Sequence, residues 1–124
     1  MQTRAYPRIL GWLTLGYGAY TLARPSSLVH AADLEPRSSP VSRQGRALGR
    51  VIGGRDLLSG LAMVLAPAGA PLLAAVAVRV LADTVDVVGF GISVPDQYRA
   101  RVIAVAAGWG MLCATSLPAA GPQR

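Results

Sequence analysis

Apolar residues come in four long runs along this chain, separated by polar or proline-rich breaks, and each run has the length of a helix rather than a strand. The first, Ile9 to Ala23 (ILGWLTLGYGAYTLA), is uncharged and lies between Arg8 and Arg24, with Tyr6, Trp12, Tyr17 and Tyr20 in or beside it. It falls short of the ~20 residues of a full membrane span, but the flanking arginines can snorkel and extend it. From Arg24 to Arg50 the character changes to proline, serine, acid and arginine, which predicts one long polar loop. Within it Leu28 to Leu34 suits a short interfacial turn, and Gln44 to Leu48 suits the opening of the next helix. Val51 to Phe90 is predominantly apolar over 40 residues but interrupted at Pro67-Ala68-Gly69-Ala70-Pro71. Two prolines and a glycine there predict a tight turn, with Pro71 at the start of a helix, where a missing N–H costs nothing. Residues 92–101 (ISVPDQYRAR) form a polar corner, and Val102 to Leu117 is the last run, closed by Pro118.

The expected architecture is therefore all-α: a four-helix transmembrane bundle forming a single domain, with helices near 9–23, 50–66, 71–91 and 102–117 and the long polar loop between helices 1 and 2. Two rivals use the same pattern. A signal peptide would explain Arg4, Arg8 and the first run, with Thr21-Leu22-Ala23 as cleavage site, although the aromatics and glycines in the run and the membrane-like remainder speak against it. A water-soluble protein with alanine-rich buried helices would also show such runs. Four of them in 12.8 kDa, however, leave almost no amphipathic helix to form a wetted surface.

Composition sharpens the first reading. Charged residues make up 15% of the 124 positions, against about 25% in an ordinary soluble domain. The net charge of +6 comes from twelve arginines, with no lysine, that flank the apolar runs instead of clustering on one face. That distribution excludes a nucleic-acid-binding tail and reads as membrane topology. Five arginines in 24–50 and two in 92–101, against two at the N-terminus, none in the 67–71 turn and one at the C-terminus, put the long loop in the cytoplasm and both termini outside. Arg4 and Arg8 beside helix 1 argue the other way. A single cysteine and a single histidine, His30, exclude an internal disulfide and offer no zinc cluster, so no metal or cofactor is expected.

The candidate chemistry lies in the second and third runs, which carry Arg55 and Asp56, then Arg79, Asp83 and Asp86. Spacings of four and three put the second set on one helix face. At 1.5 Å per residue from the turn, Asp56 lies about 15 Å deep, Arg79 about 12 Å and Asp83 about 18 Å. Two adjacent antiparallel helices thus bring Arg55, Asp56, Arg79 and Asp83 to one level, near mid-bilayer. An isolated charge there costs at least ~2.5–3.5 kcal/mol, so the groups should pair and face the bundle interior. Two arginines against three aspartates leave one carboxylate without a cation, able to hold a proton and act as an acid, a base or a shuttle. Asp83, Asp86 and Asp56 are the candidate acid/base groups, with Arg55 and Arg79 orienting an anion. Tyr17, Tyr20 and Thr14 hydrogen-bond into the cluster if helix 1 leans on it, while interfacial anchoring explains the tyrosines equally well. The bland reading is that the same charges are ion pairs locking helix 2 to helix 3, yet five are more than fixing a register requires. Gly16, Gly18, Gly53, Gly54, Ser59 and Gly60 suit close helix packing, and Trp109, Cys113 and Thr115 read as packing residues.

The stretch Arg50-Val51-Ile52-Gly53-Gly54-Arg55-Asp56-Leu57-Leu58-Ser59-Gly60-Leu61, followed by a helix bearing Arg79, Asp83 and Asp86, resembles small four-span bacterial membrane proteins, including families loosely similar to the DoxX-like group. The resemblance covers about a third of the chain. It implies a four-helix membrane bundle and no particular activity. Arginine without lysine in an alanine-rich chain also looks like the product of a GC-rich genome.

Two functions remain open. One is a membrane-embedded site that binds or converts a lipophilic small molecule by aspartate acid/base chemistry, with arginine stabilising developing negative charge, as in isomerisation, cyclisation or epoxide opening. The other is a non-catalytic accessory subunit packed against a larger membrane protein or another copy of itself. The first needs a pocket reaching the Arg/Asp cluster. The second predicts a closed cluster and an exposed stripe of small residues. The expected partners are the lipid bilayer and such molecules, and no nucleic acid.

Overall fold

Where the chain stops being helical is dictated by a few residues. The residue before a proline is pushed out of helical geometry, and Ala66, before Pro67, has φ −57° and ψ 133°. Gly69 then takes φ 101°, the left-handed region that only glycine enters without strain. The Leu72 N–H donates to the Pro67 carbonyl and the Leu73 N–H to that of Gly69, closing the turn. In the computed structural model, which describes residues 2–31, 35–93 and 96–121, that turn separates two of four long helices. The elements are α1 (Gln2–Ala23), α2 (Pro25–Ala31), α3 (Arg43–Leu65), α4 (Ala70–Ser93), α5 (Asp96–Thr115) and the short α6 (Leu117–Ala120). Among the described residues the fold is all helical.

The long helices run past the apolar stretches that announce them. α3 begins at Arg43, ahead of the expected start at 50, because Ser42 caps it: its Oγ accepts from the Gly45 N–H at 3.0 Å. Glu35 fixes the cap in turn, accepting the Ser42 N–H at 2.7 Å and also the Ser42 hydroxyl. These bonds hold the Glu35 carboxyl below the usual carboxylate range. The expected long loop is thus shortened from both sides, by α2 and by the early start of α3. Part of the interfacial turn expected at Leu28 to Leu34 is α2, and residues 32–34 lie outside the described residues. The polar corner at 92–101 is mostly helical: α4 continues to Ser93, and α5 opens at Asp96, which sits favourably in its first turn and pairs with Arg99 at 2.8 Å. α1 likewise takes in residues 2–8, Pro7 included.

That extension changes the four-span expectation. Among the described residues no helix is long and apolar enough to cross a membrane. For two of them the physical reason lies in the charges they carry: α4 holds Arg79, Asp83 and Asp86, and α3 holds Arg43, Arg46, Arg50, Arg55 and Asp56; in α1 the uncharged run is short and diluted by Gly11, Gly16, Gly18, Tyr17 and Tyr20.

Packing follows an up-down-up-down order. α1 lies antiparallel on α3 along a seam of glycines, where Gly11 and Gly18 face Gly60 and Gly53. A Cβ on Gly18 would stand 2.3 Å from the Leu57 nitrogen, one on Gly60 2.4 Å from that of Leu15, and one on Gly53 2.6 Å from that of Leu22. Gly16 and Gly54, by contrast, face open space. Arg8 ties the far end of this pair by donating to the last carbonyls of α3, Val64 and Ala66. α4 and α5 form the second close pair, and α6 bridges it to α1. The bundle then has two levels. At the end holding the 66–69 turn, Leu10, Met63, Leu72, Val76, Cys113 and Ala120 form a dry core. At the other level polar groups occupy the interior, and α2 folds over them.

Candidate functional site

Position 56 on α3 and positions 79, 83 and 86 on α4 meet because these helices are antiparallel neighbours joined by a tight turn. The five charges form one alternating chain, Asp83–Arg79–Asp56–Arg55–Asp86. Arg79 grips Asp83 with two nitrogens, Nε at 3.1 Å from Oδ2 and Nη2 on Oδ1. Its Nη1 donates to Asp56 Oδ1 at 2.5 Å and to the Ser59 hydroxyl at 3.2 Å. Arg55 donates to the same Asp56 oxygen from Nε at 3.2 Å and Nη2 at 2.9 Å. It also holds both oxygens of Asp86, at 2.7 and 2.8 Å. The expected carboxylate without a cation does not exist: each arginine bridges two aspartates, so all three are paired.

Burial grades along the chain. Asp83, Asp56 and Arg79 are 2%, 4% and 4% exposed, whereas the Arg55 and Asp86 side chains are 30% and 17% exposed. The deep end is sealed on the α5 side by Gly110, whose missing Cβ would stand 3.0 Å from that of Asp83. The open end meets a cavity of about 370 Å³.

This cavity is what charge spacing alone does not reveal. Its floor is the Arg/Asp chain and its walls come from four other places: Thr14 and Tyr17 of α1, Leu28 and Ala31 of α2, Phe90 of α4, and a face of α5 running through Val102, Val105, Ala106 and Trp109. Arg101 adds a third cation to the lining. The Trp109 indole N–H donates to the Thr14 hydroxyl at 3.2 Å, so a residue read from sequence as packing fixes a polar group in the wall. α1 and α5 meet chiefly through side chains, here and where the Tyr6 hydroxyl donates to the Leu112 carbonyl. Tyr17 and Val105 both line the cavity while remaining 49% and 70% exposed, so it opens sideways between α1 and α5. Tyr17 therefore joins the site, at its mouth. Tyr20 does not: it is 53% exposed and forms no part of the lining.

The arrangement offers paired carboxylates, each held in a fixed orientation by guanidinium groups, against an apolar space. Among the described residues no cluster of His, Cys, Asp and Glu is placed to hold a metal ion. Compared with protein-family models, curated proteins and solved structures, the chain matches none.

Proposed function

We propose that this is a small integral membrane protein whose internal Arg/Asp site binds a lipophilic small molecule and acts on it by aspartate acid/base chemistry, in the manner of an isomerisation, a cyclisation or an epoxide opening. The observation that carries the reading is the cavity: apolar walls lead from an opening in the bundle's side to a floor of five paired charges. An aspartate there exchanges a proton with a bound molecule while the adjacent arginine offsets the charge that develops.

Membrane embedding is supported by the reversal of inside and outside. Asp56, Arg79 and Asp83 are buried, while Val78, Leu81, Val85, Val88 and Ile92 form an exposed stripe along α4, and Leu58, Leu61 and Leu65 one along α3. Soluble proteins seldom expose contiguous apolar surface on this scale. The charges that lower the mean hydropathy of α4 point inward, so a lipid neighbour would meet only the apolar stripe. The long helices also fit: at 1.5 Å per residue α1, α3, α4 and α5 measure about 30–36 Å, close to a hydrocarbon core of about 30 Å. The arginine count favours a cytoplasmic 24–50 segment with both termini outside. These features also suit the resemblance to small four-span membrane proteins of the DoxX-like kind.

An accessory subunit would want a closed cluster and an outward stripe of small residues. Here the cluster opens to the cavity, and the tightest glycines are consumed between α1 and α3.

Purification in native lipid followed by mass spectrometry of retained small molecules tests the proposal. Wild type should carry an apolar compound that Ala106→Trp, which fills the cavity, loses at equal folded yield. Identical retained compounds in both would refute it.

A further inference from the structure

Resting on that reading, we infer that the ligand is a neutral lipophile whose polar end is a hydroxyl group, entering between α1 and α5 and held by Thr14 and Asp56. Two observations beyond the ion chain lead there. Thr14 is 2% exposed and lines the cavity, and its oxygen already accepts from the Trp109 indole. No acceptor for its proton is found among the described residues, so that proton is available to a molecule in the cavity. Among the described residues every hydrogen bond to the Asp56 carboxylate ends on Oδ1, which leaves Oδ2 as an acceptor on the floor. Thr14 lies one helical turn before Gly18, the residue packed directly on Asp56 and Leu57.

One donor and one acceptor match a hydroxyl, which accepts from Thr14 and donates to Asp56. The alternatives match less well. A carboxylate has no proton for Asp56 Oδ2 and sets a negative charge beside it. An ammonium ion has no lone pair for Thr14. Trp109 acts as a positioning residue, turning the Thr14 lone pair away and its proton inward.

Three photoactivatable medium-chain probes, identical except for an alcohol, carboxylate or ammonium head, test this on the purified full chain in lipid nanodiscs, with labelled peptides mapped by mass spectrometry. The alcohol should label residues 14–17 and 102–109 in preference to the other two. Thr14→Val should lower that labelling about two- to tenfold, the range for one lost hydrogen bond, and Thr14→Ser should restore it. Carboxylate or ammonium labelling as strong as the alcohol's, or alcohol labelling unchanged in a folded Thr14→Val, overturns the inference and leaves the proposed lipophile site standing. Cavity peptides labelled by none of the three overturn both.

Discussion

Replacing Arg79 by methionine removes the one cation that touches Asp83 among the described residues. Four hydrogen bonds disappear, two to Asp83, one to Asp56 and one to Ser59. Asp56 keeps Arg55, but Asp83, 2% exposed, is left as a bare carboxylate. Stranding one member of a buried pair costs about 3–5 kcal/mol. The same change at Arg55 strands Asp86, whose side chain is 17% exposed and more open to solvent screening, so its cost should be the smaller. If the loss at Arg79 comes from the stranded charge, then Arg79→Met with Asp83→Leu removes both partners and should recover at least half of it, because an apolar pair of similar volume is often no worse than the ion pair it replaces. Reversible unfolding of the purified full chain in micelles, run as a double-mutant cycle, measures this directly. Equal destabilisation in the single and double variants would refute the paired network, as would a larger effect at Arg55 than at Arg79.

Three further outcomes follow from the same geometry. Gly18→Ala and Gly60→Ala each drive a methyl group into backbone of the facing helix and should destabilise by about 1–3 kcal/mol or more; Gly16→Ala and Gly54→Ala face open space and should be neutral or slightly stabilising, read from unfolding midpoints. The Glu35 carboxyl, held below its usual range by Ser42, favours folding at pH above that range, a contribution lost as the pH falls through the lowered value; the protection of the Gly45 amide, its exchange rate relative to that of an unstructured peptide at the same pH, should therefore fall in acid, and Glu35→Gln should abolish that dependence. Asp86→Asn keeps shape at the open end of the ion chain and should leave the bundle folded, whereas Asp83→Asn strands Arg79's second contact in the interior and should lower the unfolding midpoint.

Much of the site is written in local spacing. Arg79, Asp83 and Asp86 share a face because helices repeat every 3.6 residues, and the prolines at 67 and 71 show where the chain turns back, so the meeting of α3 with α4 can be read directly. What escapes local reading depends on contacts between distant segments. The start of α3 at Arg43 needs Glu35 to reach across seven residues to Ser42, and an apolar run does not mark it. The glycine seam is visible as sevenfold spacing, 11 to 18 and 53 to 60, yet neighbouring Gly16 and Gly54 disguise it, and only the partner backbone tells which glycines are needed. Thr14 and Trp109 become a wall of the site because α1 and α5 lie side by side, which neither helix announces. The expected unpaired aspartate fails for a geometric reason: a guanidinium has enough donors to serve two carboxylates at once.

The proposed membrane placement requires the apolar stripes of α3 and α4 to face lipid, and thiol reactivity in intact membranes tests it most directly. In a Cys113→Ala background, single cysteines at Val78, Leu81 and Val85 on the outer face of α4, and at Ser38 in the connection before α3, would be exposed to an impermeant maleimide from either side. The account predicts that Ser38→Cys reacts from the cytoplasmic side alone and that the three α4 positions stay unlabelled until detergent is added. Rapid labelling of Val78→Cys, Leu81→Cys and Val85→Cys in intact membranes would contradict it.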